Sequence, residues 1–336
     1  MPICKLCQEK EADRKNTHYL TDAIIRSCLN HNGGNIRETG MMFDISNNRN
    51  GIQARFQRST SAAVVERTFG RAPTEEEIKR AKEIPYSVDY VFCTGCEDVF
   101  TAIEQDFLKQ VLPKLRGHDF KGTPELNFDE SIIIRRFFLL QVYRTSICDP
   151  GFIISNDFQE KLRKLIYSTE PDLDQLASVP LNVIYLNTVG DDFEYTRNTV
   201  GIASWDDNSL IIFNDFIIQA FDSVEKVKYV DFLGFNDPET FAYFTNYQEK
   251  QFKFRVIDHE TKVKLWKAYS DKKAEQERAF YRRIFINAYM NRYNKFPPVA
   301  LLEAFVNEII FGESVSDESH YSIERVNKIM EIMLNA

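Results

Sequence analysis

The chain has 336 residues, 43% hydrophobic and 27% charged, with 27 Phe and 15 Tyr; this composition fits a packed globular protein of about two domains and excludes a disordered or collagen-like one. Its formal net charge of −8 excludes attraction of polyanions by bulk charge alone. Six cysteines are too few for a disulfide-dense secreted scaffold, the first residues lack an export pattern, and no apolar run of about 18 residues occurs, so reduced thiols, cytoplasmic residence and no membrane span are expected.

The charge is uneven along the chain. Residues 1–90 hold 14 Lys/Arg against 12 Asp/Glu, a net of +2, which leaves −10 for the remainder. Any nucleic-acid contact is therefore expected in the N-terminal third.

In chain order, Cys4-Lys-Leu-Cys7 comes first and is followed by a polar stretch. Residues 30–60 are rich in Asn, Gly and Arg and read as turns and short extended pieces. Between Arg49 and Arg71 five arginines (Arg49, Arg55, Arg58, Arg67, Arg71) meet one acid, Glu66, with Phe56 and Phe69 interleaved. Such a strip can face DNA or RNA, because guanidinium forks match phosphates and aromatic faces stack on bases. It can equally be a solvated face that pairs with the acidic remainder. Pro73 and the pair Thr74/Glu77 predict a helix opening in a capping box. Cys93-Thr-Gly-Cys96 follows, and Val99, Phe100, Ile103 and Phe107 predict an amphipathic helix after it.

Residues 1–118 form the expected first module and 119–336 a mixed body. In the body, 128–170 are expected helical, with one long buried helix from Asp129 to Cys148 and another over 156–168 capped by Asn156 or Asp157. Strands are expected over 180–235, in the runs starting at Val183, Leu210 and Val227, in one small antiparallel sheet. Residues 260–335 are again expected helical: a long helix from Lys262 to Asn294, a stop at Pro297-Pro298, then helices near 299–311 and 319–334. The fold class is α+β. No Gly-rich phosphate loop, Gly-x-Ser-x-Gly or His-Glu-x-x-His is present.

The cysteines carry the strongest signal. Each Cys-x-x-Cys presents two thiolates from one tight turn, so two pairs complete a tetrahedral zinc site. The 85 residues between Cys7 and Cys93 make the site close a large loop, and metal binding there contributes directly to folding. A redox Cys-x-x-Cys comes as a single pair in a βαβ setting, which this sequence does not offer. Cys28 and Cys148 read as small buried hydrophobes.

A Cys-x-x-Cys, a charged stretch, a lone His after a small polar residue (Asn16-Thr17-His18-Tyr19-Leu20-Thr21) and a distant Cys93-Thr-Gly-Cys96-Glu97 opening a helix resemble the divergent bacterial branch of the HNH, or ββα-metal, nucleases. The likeness covers residues 1–108, with a weaker echo around Arg135–Arg144. It implies an HNH-like module whose general base is His18, whose metal-ligand positions fall on Thr17 and Glu97, and whose catalytic cation is Mg²⁺ or Mn²⁺ beside the structural Zn²⁺. It also implies action on DNA or RNA in a bacterial defence or mobile-element system. From the residues alone, His18 can instead be a buried hydrogen-bonding group, and Glu97 an acid that meets the helix dipole. The alternative function is an inactive zinc scaffold that docks a protein partner.

Overall fold

The computed structural model describes residues 2–27, 41–46, 53–56, 62–69, 71–81, 86–170, 172–187, 198–205, 208–231, 236–312 and 323–335. β1 (Thr17–His18) leads into α1 (Asp22–Ser27), then β2 (Met41–Asp44), β3 (Gln53–Phe56), α2 (Ala62–Phe69) and α3 (Glu75–Ala81). β4 (Ser87–Val88) returns to pair antiparallel with β1, Thr17 facing Val88 and His18 facing Ser87. α4 (Thr94–Gln110) and the short α5 (Leu112–Leu115) follow.

The expected capping box is present. The Glu77 amide donates to Thr74 Oγ1 at 3.2 Å and the Thr74 amide donates to Glu77 Oε2 at 2.8 Å, so two amides that α3 cannot satisfy internally find acceptors. α4 begins at Thr94, so the second cysteine pair lies at its N-terminus and in its first turn.

The body opens with β5 (Glu125–Phe128), α6 (Ser131–Cys148), α7 (Asn156–Tyr167) and α8 (Leu173–Ala177). The cap of α7 is Ser155, whose hydroxyl accepts from the Phe158 amide at 3.3 Å, and not Asn156 or Asp157, which lie inside the helix. β6 (Leu181–Leu186), β7 (Asn198–Trp205), β8 (Asn208–Phe213) and β9 (Phe216–Ala220) come next. The run beginning at Val227 is not a strand. A 3-10 turn over Val224–Lys226 precedes it, residues 227–231 pair with no strand among the described residues, and Tyr229 turns its hydroxyl to the Asn236 carbonyl at 2.8 Å. α9 (Pro238–Phe244), β10 (Thr245–Asn246), β11 (Phe252–Ile257), α10 (His259–Tyr293), α11 (Val299–Phe311) and α12 (Ile323–Asn335) are the last elements among the described residues.

Nine strands form the main sheet, in the order β3-β2-β7-β8-β9-β6-β11-β5, with β10 also pairing β6. The pairings are antiparallel except β2 with β7 and β6 with β11. The sheet thus extends beyond the expected 180–235 on both sides, taking β2 and β3 from the N-terminal third and β5 and β11 from between helices.

Side chains alternate across it. Val183, Tyr185, Ile211, Phe216 and Ile218 face the main core, while Ile184, Leu186, Ile212 and Ile217 face a second one with Ile45, Ile257 and Leu265. A strand buried on both faces reads as a continuous apolar run, which is the pattern of Leu181–Leu186. The main core runs without a break from Cys4 to Val256 and so crosses residue 118. α4 and α6 fill its centre, where Phe107 stacks on Phe137 at 3.9 Å and Phe138 and Phe216 close in edge-on. Among the described residues no helix is long and apolar enough to cross a membrane.

Candidate metal centre and its surroundings

The two cysteine pairs converge. All four Sγ atoms lie within 4.8 Å of one another and all four residues are buried. Cys7 Sγ and Cys93 Sγ are 3.9 Å apart and the thiols are free, so no disulfide joins them. A zinc–sulfur bond of about 2.3 Å gives a tetrahedron edge of roughly 3.8 Å. The observed spacing suits such an ion, and so does the all-thiol donor set.

Local backbone bonding shapes each knuckle. The Cys4 amide donates to the Lys10 carbonyl at 2.8 Å, the Gln8 amide to the Cys4 carbonyl at 3.0 Å, and Gln8 takes a left-handed φ of 60° to close the turn. In the second knuckle the Cys96 and Glu97 amides both donate to the Cys93 carbonyl, at 3.0 and 3.1 Å. The Cys93 amide donates to Cys4 Sγ at 3.3 Å, which ties one knuckle to the other. Asp13 accepts from the Thr94 amide at 2.7 Å and so holds the start of α4 beside the first pair.

The body grips the first knuckle from outside. Tyr143 of α6 donates its hydroxyl to the Lys5 carbonyl at 2.8 Å, and Arg163 of α7 donates to the Leu6 carbonyl at 2.7 Å. Neither residue is legible as part of the site in the sequence, because nothing local marks which helix will lie over the turn.

The thiols differ when metal-free. For Cys7 burial acts upward, but hydrogen bonds from the amides of Glu9 and Lys10 and with the thiols of Cys4 and Cys96 together outweigh it and bring the pKa down to about 7. Burial pushes Cys93 and Cys96 up. A bound cation would override these differences by favouring the thiolate at all four positions.

His18 lies on β1, with Nε2 3.9 Å from Asp22 Oδ1 and both side chains about one-fifth exposed. Thr17 is buried, and its hydroxyl is close enough to Glu97 to lower that carboxyl's pKa. The geometry between them falls short of a hydrogen bond, however, and Thr17 Oγ1 and Glu97 Oε1 are both buried without a partner among the described residues. The net shift of Glu97 is upward, led by burial, against Arg144, Thr17 and Arg14, which act downward.

Behind this pair lies a polar cluster that sequence reasoning missed. Thr21 donates to Glu104 Oε1 at 2.7 Å, its amide donates to Gln141 Oε1 at 3.1 Å, and Arg144 forms an ion pair with Glu104 while its guanidinium sits over Phe100. Its traces in the sequence were Thr21, Phe100 and Glu104, within the likeness over residues 1–108, and the echo around Arg135–Arg144. Cys148 is half-buried beside it, with its thiol pushed up to about 12 by burial.

The arginine strip is only partly visible. Arg71 is committed to a bidentate pair with Glu77, at 2.6 and 3.0 Å. Arg55 lies on β3 and Arg67 on α2, with side chains outside the described residues. Arg49, Arg58 and Cys28 also lie outside the described residues. Compared with known proteins, the chain matches no family model, no curated protein and no solved structure.

Proposed function

We propose that this is a zinc-stabilised protein that acts on nucleic acid as a metal-dependent nuclease, with His18 as general base and Mg²⁺ or Mn²⁺ held at Glu97 beside Thr17. The observation that carries the reading is the pair of buried oxygens without hydrogen-bond partners among the described residues, Thr17 Oγ1 and Glu97 Oε1, at the positions next to His18 and next to Cys96. Buried polar atoms without partners call for a missing one, and a hard cation with oxygen ligands is of the right kind. The paired β1 and β4 leading to α4 support the same reading, since a histidine on a strand and a carboxylate at a helix start are the elements it requires. A divalent cation there would acidify a water and stabilise charge on a phosphodiester, while His18 would take up the proton. Arg49, Arg55, Arg58 and Arg67 would supply phosphate contacts, and the defence or mobile-element setting follows from the resemblance.

The test is Mg²⁺- or Mn²⁺-dependent cleavage of plasmid DNA, single-stranded DNA or RNA by zinc-loaded protein. Cleavage should disappear in His18→Ala and in Glu97→Gln while bound zinc is retained. Activity that His18→Ala leaves intact removes the reading.

A second reading, a catalytically inactive scaffold that docks a protein partner, has its own support. Among the described residues the four cysteines are the only group of three or more His, Cys, Asp or Glu donors gathered this closely. Zinc-loaded protein that neither cleaves nor binds nucleic acid, but retains a partner on copurification, favours it.

A further inference from the structure

The C-terminal helices carry a surface that the metal centre does not account for. α10 is 35 residues long. Its first turns lay Leu265, Trp266 and Tyr269 against the sheet, and its last turns place Tyr281, Phe285 and Tyr289 in a separate core with α11 and α12. Between them, Ser270 to Ala279 contains no buried residue. A helix segment that is polar all round bridges two packed units, so the three-helix unit has its own core and its own outer face.

α11 has ten apolar residues in thirteen, a composition that belongs in an interior. Phe305, Val306 and Ile309 point inward. Ala300, Ala304, Asn307 and Phe311 are exposed, and their steps of four, three and four residues form a helix-pairing seam. Phe311 is 68% exposed although the Arg278 guanidinium lies 5.6 Å from its ring centre. Further exposed apolar groups lie at both ends of the seam. Phe296 and Val299 are 70% and 75% exposed at its start. Ile323, at 70%, lies near its end, where Arg325 ties α12 to the carbonyls of Glu308 and Ile309 at 2.7 and 3.0 Å.

We propose that this face binds a second copy of the chain, with the two α11 helices packed antiparallel about a two-fold axis. The seam is its own complement when reversed. Ala300 of one copy then meets Phe311 of the other, and Ala304 meets Asn307, small against large at every step. The ends pair in the same way, Phe296 and Val299 against Ile323. Self-complementarity of one patch is what a two-fold interface requires. Phe296, Val299, Phe311 and Ile323 expose on the order of 500 Å², a large part of the roughly 800 Å² per partner in a standard interface. Glu303 of one copy would approach Glu308 of the other, and Arg282, paired with both Glu303 oxygens at 2.9 Å, offsets that repulsion. The inference does not depend on the nuclease reading.

The experiment is light scattering or sedimentation of the zinc-loaded full chain over a concentration series. The expected mass is twice the 39.3 kDa of one chain. Ala304→Glu, a good helix former at an exposed position, should reduce it to a single chain with unchanged circular dichroism. Ile153→Glu, on a residue 71% exposed outside the seam, should leave the dimer intact. Asn307→Leu should tighten association by removing the one polar side chain of the seam. A wild-type monomer at every concentration, or a dimer that Ala304→Glu does not dissociate, overturns the proposal.

Discussion

Removing zinc from the four-cysteine site should release the N-terminal knuckles from the body. The magnitude follows from the loop that the site closes. Cys7 and Cys93 are separated by 86 positions, and a cross-link closing a loop of that length restricts the unfolded chain by ~4.5 kcal/mol. Folded proteins are stable by about 5–15 kcal/mol, so chelation should remove a substantial fraction of the total. The loss should also have a specific address. Amide exchange should accelerate at Cys4, Gln8, Cys93 and Cys96, whose bonds shape the knuckles, and the contacts from Tyr143 to Lys5 and from Arg163 to Leu6 should loosen. The assay is denaturant unfolding of the protein with and without a strong zinc chelator, alongside elemental analysis of the purified chain. About one zinc per chain and a large fall in stability are expected. Stability that chelation does not change, or purified protein carrying no metal, would refute the reasoning.

Three further outcomes follow from side-chain geometry. Gly201→Ala should cost ~1–3 kcal/mol in denaturant unfolding, because its Cβ would come within 2.8 Å of Ile45 Cγ1 where β7 packs under the second core. Gly95→Ala should keep zinc and match or slightly exceed wild-type stability, since the new Cβ meets nothing nearer than Lys10 Nζ at 3.9 Å and alanine is the better helix former by up to ~1 kcal/mol. Glu77 is held down to about 2, chiefly by its hydrogen bonds from Arg71, so its contribution is present above the ordinary carboxylate range and is lost as pH falls toward 2. Arg71→Ala should move the Glu77 titration, followed by carboxyl NMR, back toward its usual 4.5, and a titration that stays near 2 would assign the shift elsewhere.

What local pattern encodes was legible in the sequence. The Thr74/Glu77 capping box, the long helices α6 and α10, the stop at Pro297-Pro298 and α11 follow from spacing and caps, because helices are built from contacts three and four residues apart. The apolar runs at Val183 and Leu210 are strands for the same local reason, whereas the run at Val227 has the right residues and no strand partner among the described residues. The Ser155 cap lay one residue outside the expected pair, at the boundary where local signals are least sharp.

By itself the sequence determined which four cysteines could hold a metal ion, since two Cys-x-x-Cys turns can offer thiolates to one ion in very few ways, and it determined which segments coil into helices. Only the tertiary structure decided that β2 and β3 join a sheet whose other strands lie far along the chain, and that Tyr143 and Arg163 grip the first knuckle. It also decided that Arg71 is committed to Glu77, and that Thr17 Oγ1 and Glu97 Oε1 are both buried with no hydrogen-bond partner among the described residues. The physical reason is range. Strand pairing and side-chain meetings across tens or hundreds of residues depend on how whole layers pack, and no local spacing carries that information.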